Sequence, residues 1–303
     1  MNILFAGTPP SAAIVLRNLI ANKHHVVAVL TREDSQVGRK KILTPSAVAL
    51  EAENLGLPVI KSNRVTEDTI FRILATGAEL AVVVAYGTIL STRALSALPN
   101  GWFNLHYSLL PAFRGAAPVQ HAIIEGLRET GITLFKIDEG MDTGPIVASL
   151  PVSIEPAESA GGLISRMSEL GSTLLNQELP KIYNGLGTLT EQQGQATFAP
   201  KILRDQARVS FKKDARDVVN FIRGMNPEPM AWFTYADQPI RILRAVTAYV
   251  ESDHPGEVLS TERAIIGCGS GSAIELLEVQ PSGKTVMSGK DWLRGLRDPG
   301  DLV

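Results

Sequence analysis

An amide and an imidazole stand two residues apart at Asn104-Leu105-His106. The surrounding run 102–106 is short and apolar and reads as a strand, in which residues two apart point to one face. Such a pair suits acyl chemistry. The amide can donate to a developing oxyanion, and the imidazole can share that donation or move a proton. It equally suits a strand end whose polar groups simply find partners. The next residues, Ser108-Leu109-Leu110-Pro111-Ala112-Phe113-Arg114-Gly115-Ala116-Ala117-Pro118, form a long loop able to wall a pocket or to pack on itself as an Ω-loop. A second loop, Asp138-Glu139-Gly140-Met141-Asp142-Thr143-Gly144, carries three carboxylates. Asp142 could pair with His106, hold a water or relay a proton, while Gly/Asp turns also arise for backbone reasons alone.

Positioning these loops falls to the first half of the chain, where short apolar runs alternate with helical patterns. Strands are expected at 2–6, 25–31, 58–60, 80–85, 102–106 and 133–137. Helices are expected at 12–21 (capped by Ser11), 45–55, 67–75, 92–98, 119–125 and 162–183. Apolar strands separated by helices imply a parallel sheet covered on both faces, in a doubly wound, Rossmann-like α/β domain. Ligands in such sheets bind beyond the carboxyl ends of the strands. That rule points to Gly7-Thr8-Pro9, to Tyr86-Gly87 and to the stretch opening at Asn104. A polar, basic loop is expected at 32–41.

Near Gly185 the periodicity stops. Residues 186–206 read as a linker, and 207–303 as a smaller domain with one amphipathic helix at 215–223 and several short strands with Gly turns. That pattern suggests a small β-barrel or sandwich. A first domain at 1–185 and a second at 207–303 agree with the roughly 150 residues expected per domain.

Composition narrows the function. Lys and Arg number 29 against 31 Asp and Glu, so the chain has no general basic field to attract nucleic acid, and any RNA contact must be local. A lone cysteine, Cys268, rules out an intrachain disulfide and a thiolate metal cluster. His24, His25, His121 and His254 show no metal spacing. The apolar run 78–85 is interrupted by Glu79 and falls far short of the ~20 residues of a membrane helix. The start lacks the basic region that opens a signal peptide, so a soluble, cytoplasmic protein is expected. No G-x-G-x-x-G follows the first strand, which argues against a nicotinamide enzyme.

Taken together, Asn104-Leu105-His106, Ser108-Leu109-Leu110-Pro111, Arg114-Gly115 and the 138–144 loop resemble the folate-dependent formyltransferases. Further segments are similar to the branch of that family that acts on methionyl-tRNA, over essentially the whole chain. They are Phe5-Ala6-Gly7-Thr8-Pro9, Gly38-Arg39-Lys40-Lys41, Val83-Val84-Ala85-Tyr86-Gly87, Ala199-Pro200-Lys201-Ile202 and Asn226-Pro227-Glu228-Pro229-Met230-Ala231-Trp232.

The resemblance implies a formyltransferase domain followed by an OB-like β-barrel that grips tRNA. It implies transfer of the formyl group of 10-formyltetrahydrofolate to the α-amino group of methionine on initiator tRNA, with no metal. Asn104, His106 and Asp142 match the family's catalytic residues. Asn104 and His106 would donate to the oxyanion, and Asp142 would orient His106 and a water that takes the amine's proton. Ser108, Leu109, Leu110 and Pro111 match the folate loop, with Ala85, Tyr86, Gly87 and Asp138 flanking the pterin. Arg39, Lys40 and Lys41 match a basic insertion at the tRNA acceptor end. A monomer is expected. Tyr107 departs from the small residue usual at its position, but as a strand neighbour of His106 it should point the opposite way.

Overall fold

The computed structural model describes residues 1–38, 40–296 and 302. Its first half runs β1 (Asn2–Gly7), α1 (Pro10–Ala21), β2 (His25–Thr31), β3 (Ser35–Val37), β4 (Ile42–Thr44), α2 (Ala47–Asn54), β5 (Val59–Lys61), α3 (Glu67–Ala75), β6 (Leu80–Val84), α4 (Thr92–Leu95) and β7 (Trp102–His106). It continues with α5 (Pro118–Ile124), β8 (Glu129–Lys136), β9 (Ile146–Ser153) and α6 (Ala160–Tyr183). Seven strands form one sheet in the order β5-β2-β1-β6-β7-β8-β9. The five from β5 to β7 are parallel, and β8 runs antiparallel to β7. The strand order reverses between β1 and β6, so their carboxyl ends open the crevice where doubly wound sheets bind ligands.

Both faces of the sheet are covered, as the apolar strands require. On one face Leu4, Ala6, Leu30, Val83 and Trp102 pack with Ile70 and Ile73 of α3, and the Trp102 indole donates to the Ala94 carbonyl of α4 at 2.8 Å. On the other, a Cβ at Gly171 of α6 would meet Leu105 at 2.6 Å, and Asn18 of α1 donates to Glu169 of α6 at 2.7 Å.

Two local expectations change. Ser11 does not cap α1. The helix starts two residues earlier than expected, at Pro10, whose fixed φ and missing N–H suit the first position without a cap. The polar stretch 32–41 is not a plain loop, because 35–37 and 42–44 pair as a hairpin.

The chain packs as two compact units. The first comprises Met1–Pro118, Thr130–Ser153 and Ile164–Pro200, and the second Val119–Glu129, Ile154–Leu163 and Lys201–Val303. The 186–206 stretch, expected as a linker, is divided between the two units at Pro200. Its part up to Pro200 lies along the first unit, bridging Thr190 to Ile146 and Phe198 to Arg114. Thr190, Gln192 and Thr197 pair there through backbone and polar side chains, which leave no hydrophobic period to read.

The second unit holds α7 (Ala215–Met225), β10 (Trp232–Tyr235), β11 (Gln238–Ala248), β12 (Val258–Ser260), β13 (Ile265–Gly267), β14 (Ala273–Pro281), β15 (Met287–Ser288) and α8 (Gly289–Arg294). The strands join antiparallel in the order β10-β11-β14-β13-β12, with β15 also on β14. They make one β-rich antiparallel sheet, in which β10 and β12 do not pair with each other among the described residues. Phe211, Phe233 and Trp292 meet edge to face in its core. Cys268 is buried there, and burial pushes its thiol up to about 12, the behaviour of an inert small filler.

Candidate active site

Alternation along β7 sorts its side chains. Trp102, Asn104 and His106 share one face. Phe103 and Leu105 take the other, and Tyr107 follows them, its hydroxyl 2.8 Å from Ser168 of α6. Trp102 anchors the buried end, Asn104 is half-buried, and among the described residues its amide has no hydrogen-bond partner. His106 lies deeper, at 6% exposure.

The His106 ring is fixed from both sides. Its Nε2 lies 3.0 Å from the Phe113 carbonyl. A carbonyl only accepts, so Nε2 carries the proton and donates. In a neutral ring Nδ1 is then a lone pair, and it faces the Asp142 Oδ2 at 3.8 Å. Burial holds the imidazole below its ordinary value, opposed by the Asp142 charge and by the bond to Phe113. The separation exceeds hydrogen-bond reach. Two acceptors therefore face one another with room for a donor to reach both.

Asp142 is also held by structure. Its backbone is left-handed, with φ +54°, and its Oδ2 accepts from the Gly115 N–H at 2.8 Å. Gly115 itself has φ +119°, and a Cβ there would meet the Ala199 carbonyl at 2.7 Å, so only glycine brings this N–H to the carboxylate.

The other expected residues separate into scaffold and surface. Ser108 is fully buried, its hydroxyl donating to the Ala112 carbonyl, and Thr133 ties the Ser108 carbonyl to the Leu110 N–H. Ser108 and Leu110 thus shape the loop from within, while Leu109 and Pro111 are partly exposed. Ala85 is exposed at the carboxyl end of β6. Tyr86 turns inward, its hydroxyl donating to Ser62 at 2.7 Å, and burial pushes the phenol up to about 12. The Tyr86 and Gly87 carbonyls accept from Thr8 and Arg32. Asp138 closes its own turn, accepting from Gly140 N–H at 3.1 Å and Thr143 hydroxyl at 2.6 Å. An open cleft of about 440 Å³ lies instead beside Gly87, lined by Arg32, Asn63, Arg64, Thr88 and Ser91.

Lys40 and Lys41 occupy the turn of the β3–β4 hairpin and are exposed, and Arg39 lies outside the described residues. The hairpin also exposes Val37, Ile42 and Leu43.

Residues 1–179 match the family described as Formyl transferase, and 201–297 match Formyl transferase, C-terminal domain. The chain is 42% identical over 298 residues to a methionyl-tRNA formyltransferase of Renibacterium salmoninarum, covering 98% of this chain and 97% of that protein. It is likewise 42% identical to one from Paenarthrobacter aurescens, over 100% and 99%. The chain belongs to the methionyl-tRNA formyltransferase family. Among solved structures, the fold is shared with a methionyl-tRNA formyltransferase from Clostridium thermocellum at TM-score 0.59 and 18% identity, covering 82% of this chain and 94% of that one. It is also shared with WlaRD, a sugar 3N-formyl transferase, at TM-score 0.68 and 18% identity over 94% and 99%. Methionyl-tRNA formyltransferase family membership accounts for the β-rich second domain as well as for the catalytic sheet.

Proposed function

We propose that this chain transfers the formyl group of 10-formyltetrahydrofolate to the α-amino group of methionyl-initiator tRNA. Full-length similarity to methionyl-tRNA formyltransferases supports the substrates. One observation carries the chemistry: an unpartnered amide, Asn104, stands beside a His106 Nδ1 lone pair that faces Asp142 across 3.8 Å.

The folate, when bound, supplies an activated formyl group. As the amine adds to the formyl carbon, negative charge grows on the formyl oxygen, and the Asn104 N–H is the donor placed to receive it. The amine must lose a proton. Neutral His106 accepts it at Nδ1, with Asp142 stabilising the cation that results. His106 then returns a proton to the departing nitrogen, so that one C–N bond forms, another breaks and charge balances. This order modifies the expectation from sequence. With Nε2 engaged by Phe113, His106 is first an acceptor and can donate toward the oxyanion only after it has taken a proton.

We further infer that the partly exposed Leu109 and Pro111 and the exposed Ala85 offer contacts to the folate, with Ser108, Leu110, Tyr86 and Asp138 holding their loops, and Gly87 bounding the neighbouring cleft. Lys40 and Lys41, with Arg39, would meet tRNA phosphates, and the antiparallel sheet of the second domain would contact the tRNA beyond. All the named groups belong to one chain, so the reading needs only a monomer, which light scattering checks. A cytoplasmic location suits these substrates, and among the described residues no helix is long and apolar enough to cross a membrane.

The test is a formyl-transfer assay. Protein, 10-formyltetrahydrofolate and methionyl-initiator tRNA are mixed, and the aminoacyl ester is weighed for an added formyl group. Elongator methionyl-tRNA and an amino-sugar nucleotide run in parallel. Formylation of the initiator tRNA is expected. Formylation of the sugar nucleotide alone would keep the catalytic residues and overturn the acceptor.

A further inference from the structure

The segment after α6 reaches both halves of the His106–Asp142 pair. Gln192 donates through Nε2 to the Asp142 carbonyl at 2.8 Å and to the Gly144 carbonyl at 2.9 Å. Its Oε1 accepts from Arg114 Nη2 at 2.6 Å and Nε at 3.3 Å. A carboxylate in its place could take the guanidinium but would set a third acceptor against two carbonyls, so the arrangement needs an amide. Five residues on, the Thr197 hydroxyl accepts from the Phe113 N–H at 2.8 Å, and the Thr197 carbonyl accepts from the Arg114 N–H at 2.9 Å.

These bonds act where the backbone cannot hold itself. Phe113 and Asp142 are both left-handed, with φ of +57° and +54°. Non-glycine residues adopt that conformation at a cost and keep it when their surroundings impose it. Phe113 is the residue whose carbonyl fixes the His106 ring, and Asp142 is the residue whose carboxylate faces it. One short stretch thus braces the ring through Thr197 and Phe113, and the carboxylate through Gln192.

We propose that Gln192 and Thr197 are positioning residues that set the geometry of the His106–Asp142 pair. The kinetic consequence rests on the formyl-transfer reading; the structural one does not.

Thr197→Val keeps the shape and removes the acceptor for Phe113, Thr197→Ser restores it, and Gln192→Leu removes both arms of the second brace. The expected result is a fall in kcat of about 10- to 100-fold for Thr197→Val and Gln192→Leu, as for small misplacements of a reacting group. KM for folate and tRNA should barely move, and Thr197→Ser should recover the rate. A second readout needs no substrate: the His106 ring is titrated by NMR in each protein. Among the described residues Asp142 supplies the charge acting on His106, and Asp142 and Phe113 both favour its protonated form. Loosening either should shift the ring's midpoint further down, whereas a purely structural loss would lower the melting temperature and leave the midpoint where it was. An unmoved midpoint in both variants overturns the proposal, whatever the melting temperature does. A wild-type protein that moves no formyl group would instead sink the formyl-transfer reading and leave this titration decisive.

Discussion

Asn104 and His106 share a strand face but are held differently, and the difference sets what each should do when changed. The Asn104 side-chain amide makes no hydrogen bond among the described residues, so Asn104→Ala should leave folding intact and lower kcat by roughly 10²–10³, the usual cost of one oxyanion donor. A rate within a few-fold of wild type, with a normal melt, would remove Asn104 from the mechanism. His106 is different because burial keeps it neutral. Its folded value lies below its unfolded one, so as pH falls the unfolded chain takes up the proton first. The stability tied to neutral His106 is present above the unfolded value of ~6.5 and is lost as pH falls toward the folded one. Melting temperatures between about pH 8 and about pH 5 should therefore drop more for wild type than for His106→Gln. Equal drops would show that burial of this ring carries no such term.

At the scale of elements, the β3–β4 hairpin is a small projection whose turn carries Lys40 and Lys41 and whose strands expose Val37, Ile42 and Leu43. Reversing both charges should raise KM for tRNA and leave folate binding nearly unchanged, measured by initial rates and by folate titration. An unchanged KM for tRNA would disconnect the hairpin from the acceptor. The elements also show what a sequence can reveal. Residues of β7 were legible because a strand's period of two sorts Asn104 and His106 from Tyr107 without any other knowledge. The hairpin was not, because two three-residue strands joined by a basic turn carry too little pattern. The 190–199 stretch reads as a linker for another reason. Its bonds run from side-chain amides, hydroxyls and backbone to partners 50 and 84 residues away, and no periodicity records such pairings.

At the scale of the whole molecule, the two units are interleaved along the chain rather than laid end to end. The second unit needs 119–129, where a Cβ on Gly224 would meet Ile124 at 2.6 Å. It also needs 154–163, where Arg223 donates to the Glu158 carbonyl at 3.0 Å and to the Glu155 carbonyl at 3.3 Å. A fragment of residues 201–303 lacks both. It should show a poorly dispersed amide spectrum and a weak, broad thermal transition, whereas the intact chain melts cooperatively. A fragment as well dispersed as the same residues in the intact protein would mean that the borrowed segments are ornamental.

Interleaving also orders events during synthesis. Residues 119–129 leave the ribosome long before 201–303 exist, yet Ile123 is fully buried and Ile124 packs onto the core of the later unit. Domains emerging from the ribosome generally fold as units, the earlier one first. Here the earlier one cannot set its catalytic loops until 190–199 has been made, and it must carry an uncovered apolar helix until the last strands arrive. The interval between those two moments is when a nascent chain of this enzyme would be most open to a chaperone.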